Sequence, residues 1–156
     1  MSTATKAAAV QGHTVEEWVA GFTEGWRAPT DAESFCDHFS RFLAEDMRLI
    51  QPQIPEIVGL QAFREEFARP LFALLHDVRG TVGGWAASGD VIFIDLTIRG
   101  KLAGGREVEI RTIDRITLRD GLAIERYASA DPVPLLKGIA LSPRSWLPFL
   151  RARLGR

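Results

Sequence analysis

The sequence predicts a single α+β domain in which helices come first and an antiparallel sheet follows. Apolar residues recur at helical spacing up to about residue 75 and alternate with a period of two from about residue 78. The alternating stretches are separated by the turn sequences SGD, AGG and RDG, which favour hairpins. A length of 156 residues fits one domain. We therefore expect a hairpin-linked sheet packed against the earlier helices.

Two helices are predicted before any strand. Thr14 followed by Glu17 forms a capping-box pattern that begins the first helix, and Thr30 with Glu33 repeats the pattern for the second. Each helix then carries an apolar stripe at helical spacing, which comprises Val15, Trp18, Val19 and Phe22 in the first and Phe35, Phe39, Phe42 and Leu43 in the second.

A third helix and five strands are predicted in the middle of the chain. The third helix spans residues 60–75, and Pro70 should kink or split it because proline lacks the amide donor. A short strand precedes that helix and ends before Pro52. The predicted strands are residues 46–51, 78–87, 91–101, 106–119 and 122–130.

The two ends of the chain are predicted to lie outside the α+β domain, which we place at residues 13–132. Residues 1–12 are rich in small side chains and are expected to form a flexible leader. Residues 133–156 are expected to form a helical extension whose helix begins at Ser142 and Pro143. Its arginines leave three roles open, which are to close a pocket, to cover a sheet edge or to contact an anionic surface.

Composition excludes several classes of function. The net charge of -1 produces no field that would attract nucleic acid. No apolar run reaches the roughly 18 residues of a membrane span, and no secretory signal is recognisable, so a cytoplasmic location is expected. The single cysteine, Cys36, falls among core phenylalanines. The histidines have no ligand spacing and no phosphate-binding loop is present, so we expect neither a metal nor an organic cofactor.

Asp114 is the strongest candidate for chemistry. It is the only charged residue on the apolar face of the strand 106–119, a face that also carries Thr112. An apolar interior disfavours ionisation of a carboxyl group, which would let Asp114 act as an acid or a hydrogen-bond donor. The alternative is an aspartate satisfied by a neighbouring arginine or backbone amide.

Three further residues are candidates for the same site. Asp95 lies on a strand that is largely apolar on both faces, which indicates either a pocket or the interface of a homodimer. His76 follows the third helix, and two roles are open for it, which are a contact with the helix dipole and acid/base chemistry in the pocket. Arg126 has the parity to enter the pocket and to pair with Asp114 or Asp95.

The order of elements, with VGLQAFREEF followed later by TIDRITLRDGLAIERYASADP, resembles the nuclear transport factor 2-like superfamily over about residues 15–132. This superfamily includes SnoaL-like and ketosteroid-isomerase-like proteins. The resemblance implies a cystatin-like cone, in which a strongly curved antiparallel sheet wraps around the N-terminal helices. It specifies the fold better than the reaction, because members include isomerases, polyketide cyclases, dehydratases, epoxide hydrolases and non-catalytic proteins.

Two site patterns of the superfamily are only partly present. By resemblance to the ketosteroid isomerases, Asp114 falls on the protonated donor to the oxyanion, Trp18 lies near the donor tyrosine, and Gln51 stands where the general base would be. By resemblance to limonene-epoxide-hydrolase-like enzymes, Asp95 fits the first aspartate, but Phe93 replaces the arginine. Ala128 stands near the second aspartate of that triad.

The function expected from the sequence is cofactor-free acid/base chemistry in an apolar pocket. Isomerisation, cyclisation, dehydration or epoxide opening of a cyclic or polyketide-like molecule would each use Asp114 as donor, with Asp95 or His76 as base. The residues expected to bind the substrate are Trp18, Gln51, Phe93, Thr112 and Arg126. One alternative is a non-catalytic protein, which either binds an apolar ligand or serves as a dimeric accessory protein. The other is a scaffold in which Asp114 pairs with Arg126 in a filled core.

Overall fold

The computed structural model describes residues 12–154, so the predicted leader, apart from Gly12, lies outside the described residues. The helices are α1 (Val15–Arg27), α2 (Ala32–Phe39), α3 (Leu60–Ala62), α4 (Arg69–Leu74), α5 (Val133–Ala140) and α6 (Trp146–Leu154). The strands are β1 (Leu43–Ile50), β2 (Ile57–Val58), β3 (His76–Ser88), β4 (Val91–Lys101), β5 (Glu107–Arg119) and β6 (Leu122–Ala130).

The six strands form one curved sheet in the order β2-β1-β6-β5-β4-β3. All pairs are antiparallel except β1 and β6, which run parallel. The register shifts between Val82 and Gly84 and between Thr117 and Leu118, and such bulges bend and twist a sheet. The predicted α+β fold with a curved sheet and helices against one face is confirmed.

The first helix begins as predicted and the second begins one residue later. The Thr14 hydroxyl accepts from the Glu17 amide, and the Glu17 carboxylate accepts from the Thr14 amide. In α2 the cap is Asp31, whose carboxylate accepts from the Ser34 amide at 2.8 Å, so the predicted Thr30 box is wrong. Aspartate and threonine both cap helices well, and here the aspartate has the extended backbone that a cap requires.

The third helix is interrupted around Pro70, as the sequence predicts. Residues Phe63–Ala68 form a wider π-helical turn, closed by a hydrogen bond from the Arg69 amide to the Arg64 carbonyl. Pro70 stands near the start of α4, directly after the π-helical turn, and lacks the amide donor of an ordinary helical residue. The π-helical turn is the feature that the sequence did not predict.

Other boundaries also differ from prediction. Strands β4 and β6 have the predicted bounds, whereas β1 begins three residues earlier than predicted and the short strand β2 was missed. The helical extension was expected to begin its helix at Ser142, whereas helix α5 already begins at Val133, where a proline in the first turn suits a helix. The Ser142 hydroxyl does not cap the last helix but donates to the Ala103 carbonyl, and a 3-10 turn, Pro143–Ser145, precedes α6.

The core lies between the inner face of the sheet and helices α1 and α2. Burial alternates along β5, with Val108, Thr112, Asp114, Ile116 and Leu118 buried on the inner face. Gly80 of β3 lets α1 approach closely, since a Cβ there would lie 2.7 Å from Cβ of Trp26. An aromatic layer that includes Phe22, Trp26, Phe35 and Phe39 fills the space between helices and sheet. Within residues 12–154, none of the helices has the length and apolar character needed to cross a membrane.

Candidate active site on the inner face of the sheet

Asp114 stands in the middle of β5 and is wholly buried. Its Oδ1 accepts a hydrogen bond of 2.6 Å from the Thr112 hydroxyl, two residues earlier on the same face. Its Oδ2 accepts a hydrogen bond of 2.7 Å from Nε of Arg126 and forms an ion pair with Nη2 of the same guanidinium at 2.6 Å. Both carboxylate oxygens are therefore occupied by donors from the neighbouring strand and from β5 itself.

Arg126 reaches Asp114 because β5 and β6 are neighbours in the sheet. Arg126 pairs with Ile116 and Asp114 pairs with Ala128, so the two side chains meet diagonally on the inner face. The guanidinium carbon lies 5.5, 5.7 and 5.8 Å from the ring centroids of Phe22, Trp26 and Phe67. With 5% of its surface exposed, Arg126 is a cation held by one carboxylate and three aromatic rings.

A narrow cavity is lined in part by Arg126 and not by Asp114. Its volume is about 10 Å³, which is room for a single water molecule. The aromatic and aliphatic walls come from α1, α2, β1, the π-helical turn and β6, and Arg126 is the charged group among them. The lining residues are Trp18, Phe22, Phe35, Phe39, Leu43, Met47, Phe63, Ala123 and Arg126.

The cation, rather than the carboxylate, is thus the group next to the cavity. Asp114 does not line the cavity, and its two oxygens are taken up by two hydrogen bonds and the ion pair with Arg126, so its geometry does not fit the expected role of donor to a ligand. Within residues 12–154, Nη1 of Arg126 has no hydrogen-bond partner. That atom is the donor left for a molecule in the cavity.

The two indoles of α1 behave differently. Trp18 lines the cavity with its ring, but its Nε1 donates to the Phe42 carbonyl at 2.8 Å, so this N–H is not free to donate to a ligand. Trp26 is wholly buried, and its Nε1 has no hydrogen-bond partner among the described residues. A buried donor without a partner is uncommon in folded proteins.

Asp95 and Phe93 are not part of this site. In β4 they alternate with buried isoleucines and face outward, on the side of the sheet opposite to Asp114. Asp95 lies over Gly83 of β3, where a Cβ would come within 2.9 Å of its Oδ2. The apolar residues on both sides of β4 suggested a pocket, but the outer face has no layer over it among the described residues.

His76 and Gln51 are also distant from the cavity. His76 is exposed and opens β3 opposite Lys101, which is seven residues along β4 from the partner of Asp114. At about 3.3 Å per residue this separates His76 from Asp114 by roughly 23 Å. Gln51 is half-buried at the end of β1 and does not line the cavity. The structure therefore groups Asp114, Thr112, Arg126 and Trp18 and leaves the other four candidates elsewhere.

Neither the cysteine nor a cluster of metal ligands adds to the site. Burial raises the pKa of the Cys36 thiol to about 11, which disfavours the thiolate that a nucleophile needs. Among the described residues, no group of three or more His, Cys, Asp or Glu side chains is placed to hold a metal ion.

Sequence reasoning missed the aromatic residues around Arg126. Phe63 and Phe67 stand on the π-helical turn, and their spacing of four predicts only that they face the core together. Phe22 was assigned to the core of the first helix, with no indication that a cation lies beside it. A cation and its rings come from distant segments, so no local pattern could reveal the group.

Comparisons with known proteins agree with this architecture. The sequence model of the SnoaL-like domain matches residues 15–126, more than two thirds of the chain. No curated protein matches the sequence. A protein from Jannaschia sp. CCS1, assigned as a SnoaL-like polyketide cyclase, has 21% identity and a TM-score of 0.70, over 82% of this chain and 92% of that chain.

Two further solved structures share the fold at lower identity. IdmH of Streptomyces antibioticus, assigned as a polyketide cyclase, is 19% identical with a TM-score of 0.63, over 82% of this chain and 99% of that one. An epoxide hydrolase of Mycobacterium tuberculosis, similar to limonene epoxide hydrolase, is 14% identical with a TM-score of 0.62. The match covers 83% of this chain and 92% of that chain. At these identities the structures establish the fold alone. On the sequence match and the shared cone fold, the chain belongs to the SnoaL-like domain family within the nuclear transport factor 2-like superfamily.

Proposed function

We propose that this protein is a cofactor-free enzyme acting on a small, mostly apolar cyclic molecule that develops negative charge on an oxygen atom. Arg126 is the group that binds and stabilises this oxyanion, and Asp114 with Thr112 holds Arg126 in place. The proposal rests on one observation, which is a buried guanidinium with a free Nη1 beside an aromatic-lined cavity.

The energetic cost of the ion pair supports a functional role. Removing two charges from water costs several kcal/mol per ion, and a buried pair stabilises a fold no better than apolar side chains of similar volume. The inner face of β5 is otherwise apolar apart from Thr112. A charged pair in that position therefore contributes more to ligand binding than to the stability of the fold.

The surroundings of Arg126 suggest the shape of the substrate. Rings of Phe22, Phe39 and Phe63 line the cavity, and flat aromatic or conjugated molecules pack well against such walls. The cavity must widen from about 10 Å³ to about 300 Å³ or more to hold a small organic molecule. The π-helical turn, which carries Phe63, is the wall we expect to move, since such turns often occur at functional sites.

The chemistry open to this site is electrostatic. A fixed cationic donor in a dry cavity stabilises an enolate or alkoxide as it forms, which serves isomerisation, cyclisation through an enolate, dehydration and epoxide opening. Asp114 is a positioning residue in this scheme, because it acts through Arg126. The lining within the described residues holds no second titratable side chain, so we expect a solvent molecule or a substrate group to accept the proton.

The test is turnover of a panel of enones, epoxides and polyketide-like aromatic molecules. Arg126→Lys keeps the charge but loses the planar fork, and removal of one oxyanion donor lowers the rate by about 100-fold. Arg119→Lys at the end of β5, where Arg119 pairs with Asp46 at 3.0 Å, is the matched control and should keep the wild-type rate. Equal rates of Arg126→Lys and wild type, with both proteins folded by circular dichroism, would refute the role of Arg126.

A non-catalytic ligand-binding protein is the second candidate, and the single charged group in the cavity lining favours it. Isothermal titration and product analysis separate the two functions on the same panel. Saturable binding that Arg126→Lys weakens, with no product formed, supports the binding protein. Product formation supports the enzyme.

We also propose a homodimer and a cytoplasmic location. Phe93, Ile113 and Tyr127 lie on adjacent strands of the outer sheet face and are each one-third to one-half exposed. An apolar patch of this kind on a sheet face is typical of a subunit interface. Light scattering with size-exclusion chromatography should give twice the mass of the 17.3 kDa chain, and Ile113→Asp should reduce it to a monomer. A monomeric wild type would refute the dimer.

A further inference from the structure

The molecule has a second concave site, far in sequence from the first and lined by two arginines. Residues 104–106 of the β4–β5 turn and residues 141–144 between α5 and α6 enclose a hollow of about 600 Å³ that is open to solvent. Arg106 and Arg144 both line it. Arg106 donates to the Leu141 carbonyl at 3.4 Å, and within residues 12–154 neither guanidinium forms an ion pair. The hollow therefore presents two uncompensated cations.

The walls of the hollow are held together by specific contacts. Ser142 and Ser145 both donate to the Ala103 carbonyl at 3.2 Å, and Ser145 is wholly buried, so the C-terminal segment is pinned to the turn. Gly104 and Gly105 have φ values of +95° and +88°, which favour glycine. The stem of Arg144 lies against Gly104, whose Cβ position is 3.5 Å from Cδ.

Exposed apolar side chains continue from the rim of the hollow. Leu147, Leu150 and Leu154 recur at spacings of three and four along α6, which places them on one helix face, and they are 56, 48 and 71% exposed. Trp146 is half-exposed and is fixed by a hydrogen bond of 2.9 Å from its Nε1 to the Ile139 carbonyl. Phe149 faces the other way and packs against the core.

The charge of this segment differs from that of the remaining chain. All 20 acidic residues precede Pro132, where they outnumber 14 basic residues, whereas Lys137 and four arginines follow it without any acidic residue. Two copies of this surface would bring their cations together, which disfavours self-association through it. An anionic partner with an apolar interior matches both its charge and its leucines.

We propose that this surface, formed by the hollow and the exposed face of α6, docks the protein on the surface of an anionic lipid bilayer. The hollow takes a phosphate headgroup between Arg106 and Arg144, and the leucines with Trp146 enter the boundary between headgroups and acyl chains. Arg151, which is exposed on α6, lies beside a neighbouring headgroup. This attachment is peripheral, and it holds whether or not the cavity at Arg126 is catalytic.

The test is flotation of the full chain with vesicles of phosphatidylcholine, and of phosphatidylcholine mixed with phosphatidylglycerol. We expect binding to the mixed vesicles only, with loss at high salt. Arg106→Gln with Arg144→Gln should weaken binding by about tenfold or more, since each cation near such a surface contributes. Leu147→Ser with Leu150→Ser, two exposed positions, should weaken it as well.

Matched controls use exposed residues of the body of the protein. Arg27→Gln with Arg79→Gln removes two exposed charges that lie outside the proposed docking surface. Val58→Ser removes an apolar side chain that is as exposed as Leu147. Both variants should bind like wild type. In a Trp85→Phe background, Trp146 is the main exposed indole, and its fluorescence should shift to the blue on mixed vesicles. Four results overturn the proposal, namely no vesicle binding, equal binding to both lipid mixtures, equal loss in the controls, and binding to soluble polyglutamate alone.

Discussion

The two faces of β5 carry similar ion pairs in different surroundings. On the inner face, Asp114 is wholly buried and its Oδ2 lies 2.6 Å from Nη2 of Arg126. On the outer face, one residue further along, Arg115 meets Glu125 of the same neighbouring strand at 3.0 Å, with half of the arginine side chain exposed. The outer pair shares its charges with water, whereas the inner pair can be balanced only by its own partner. The same residue types therefore carry different energies and different functional value.

The largest effect is expected from breaking the inner pair. Asp114→Ala leaves Arg126 buried without its counter-charge, which should lower the free energy of unfolding by about 3–5 kcal/mol in urea denaturation. Replacing both partners by apolar residues, as in Asp114→Leu with Arg126→Met, should recover most of this loss. A double variant as unstable as the single one would show that the unpaired charge is not the cause.

A smaller loss is expected from the hydroxyl that supports the inner pair. Thr112→Val keeps the shape of the side chain but removes the 2.6 Å hydrogen bond to Oδ1 of Asp114, which should cost about 1–2 kcal/mol. Thr97→Val, at a half-buried position on the outer side of β4, is the matched control and should change stability little. Equal effects of the two substitutions would mean that the hydroxyl of Thr112 does not matter.

Breaking the outer pair should have a still smaller effect. Glu125→Gln removes the partner of Arg115 and Arg48 on the outer face and should cost less than about 1 kcal/mol, with the difference disappearing at high salt. The measurement is urea denaturation at low and high ionic strength. A loss comparable to that of Asp114→Ala would contradict the contrast between the two faces.

The smallest effect is expected in the loss of folding stability at acid pH. Hydrogen bonds from Arg111 and Arg99 hold the pKa of Glu109 below its ordinary value of 4.5. Because the pKa is lower in the folded state, the stabilisation is complete above the ordinary value and is lost as pH falls through the folded value. Glu109→Gln should flatten the fall of stability below pH 4.5, measured by denaturation at a series of pH values. An unchanged acid slope would exclude a contribution of this carboxylate.

Alternation along single strands made part of the site predictable. The period of two on β5 placed Asp114 and Thr112 on the apolar face, and the same parity on β6 placed Arg126 on the inner side. Asp95 and Phe93 lie on the outer side of β4, which for Asp95 fits the interface alternative rather than the pocket. Both sides of β4 are apolar, and a strand does not reveal which side a second layer covers. The sequence did not reveal how far His76 lies from Asp114, because that distance is set by the pairing of the strands.

The sequence by itself determined the order of helices and strands, the parity of Asp114 and the charge division between the chain before Pro132 and the segment after it. These properties depend on neighbours within a few positions along the chain. Only the tertiary structure decided that Arg126 reaches Asp114, that three rings surround the guanidinium, and that Arg106 and Arg144 line the same hollow. Each of these contacts joins segments distant along the chain, and their distances follow from strand register, the π-helical turn and the packing of the last two helices.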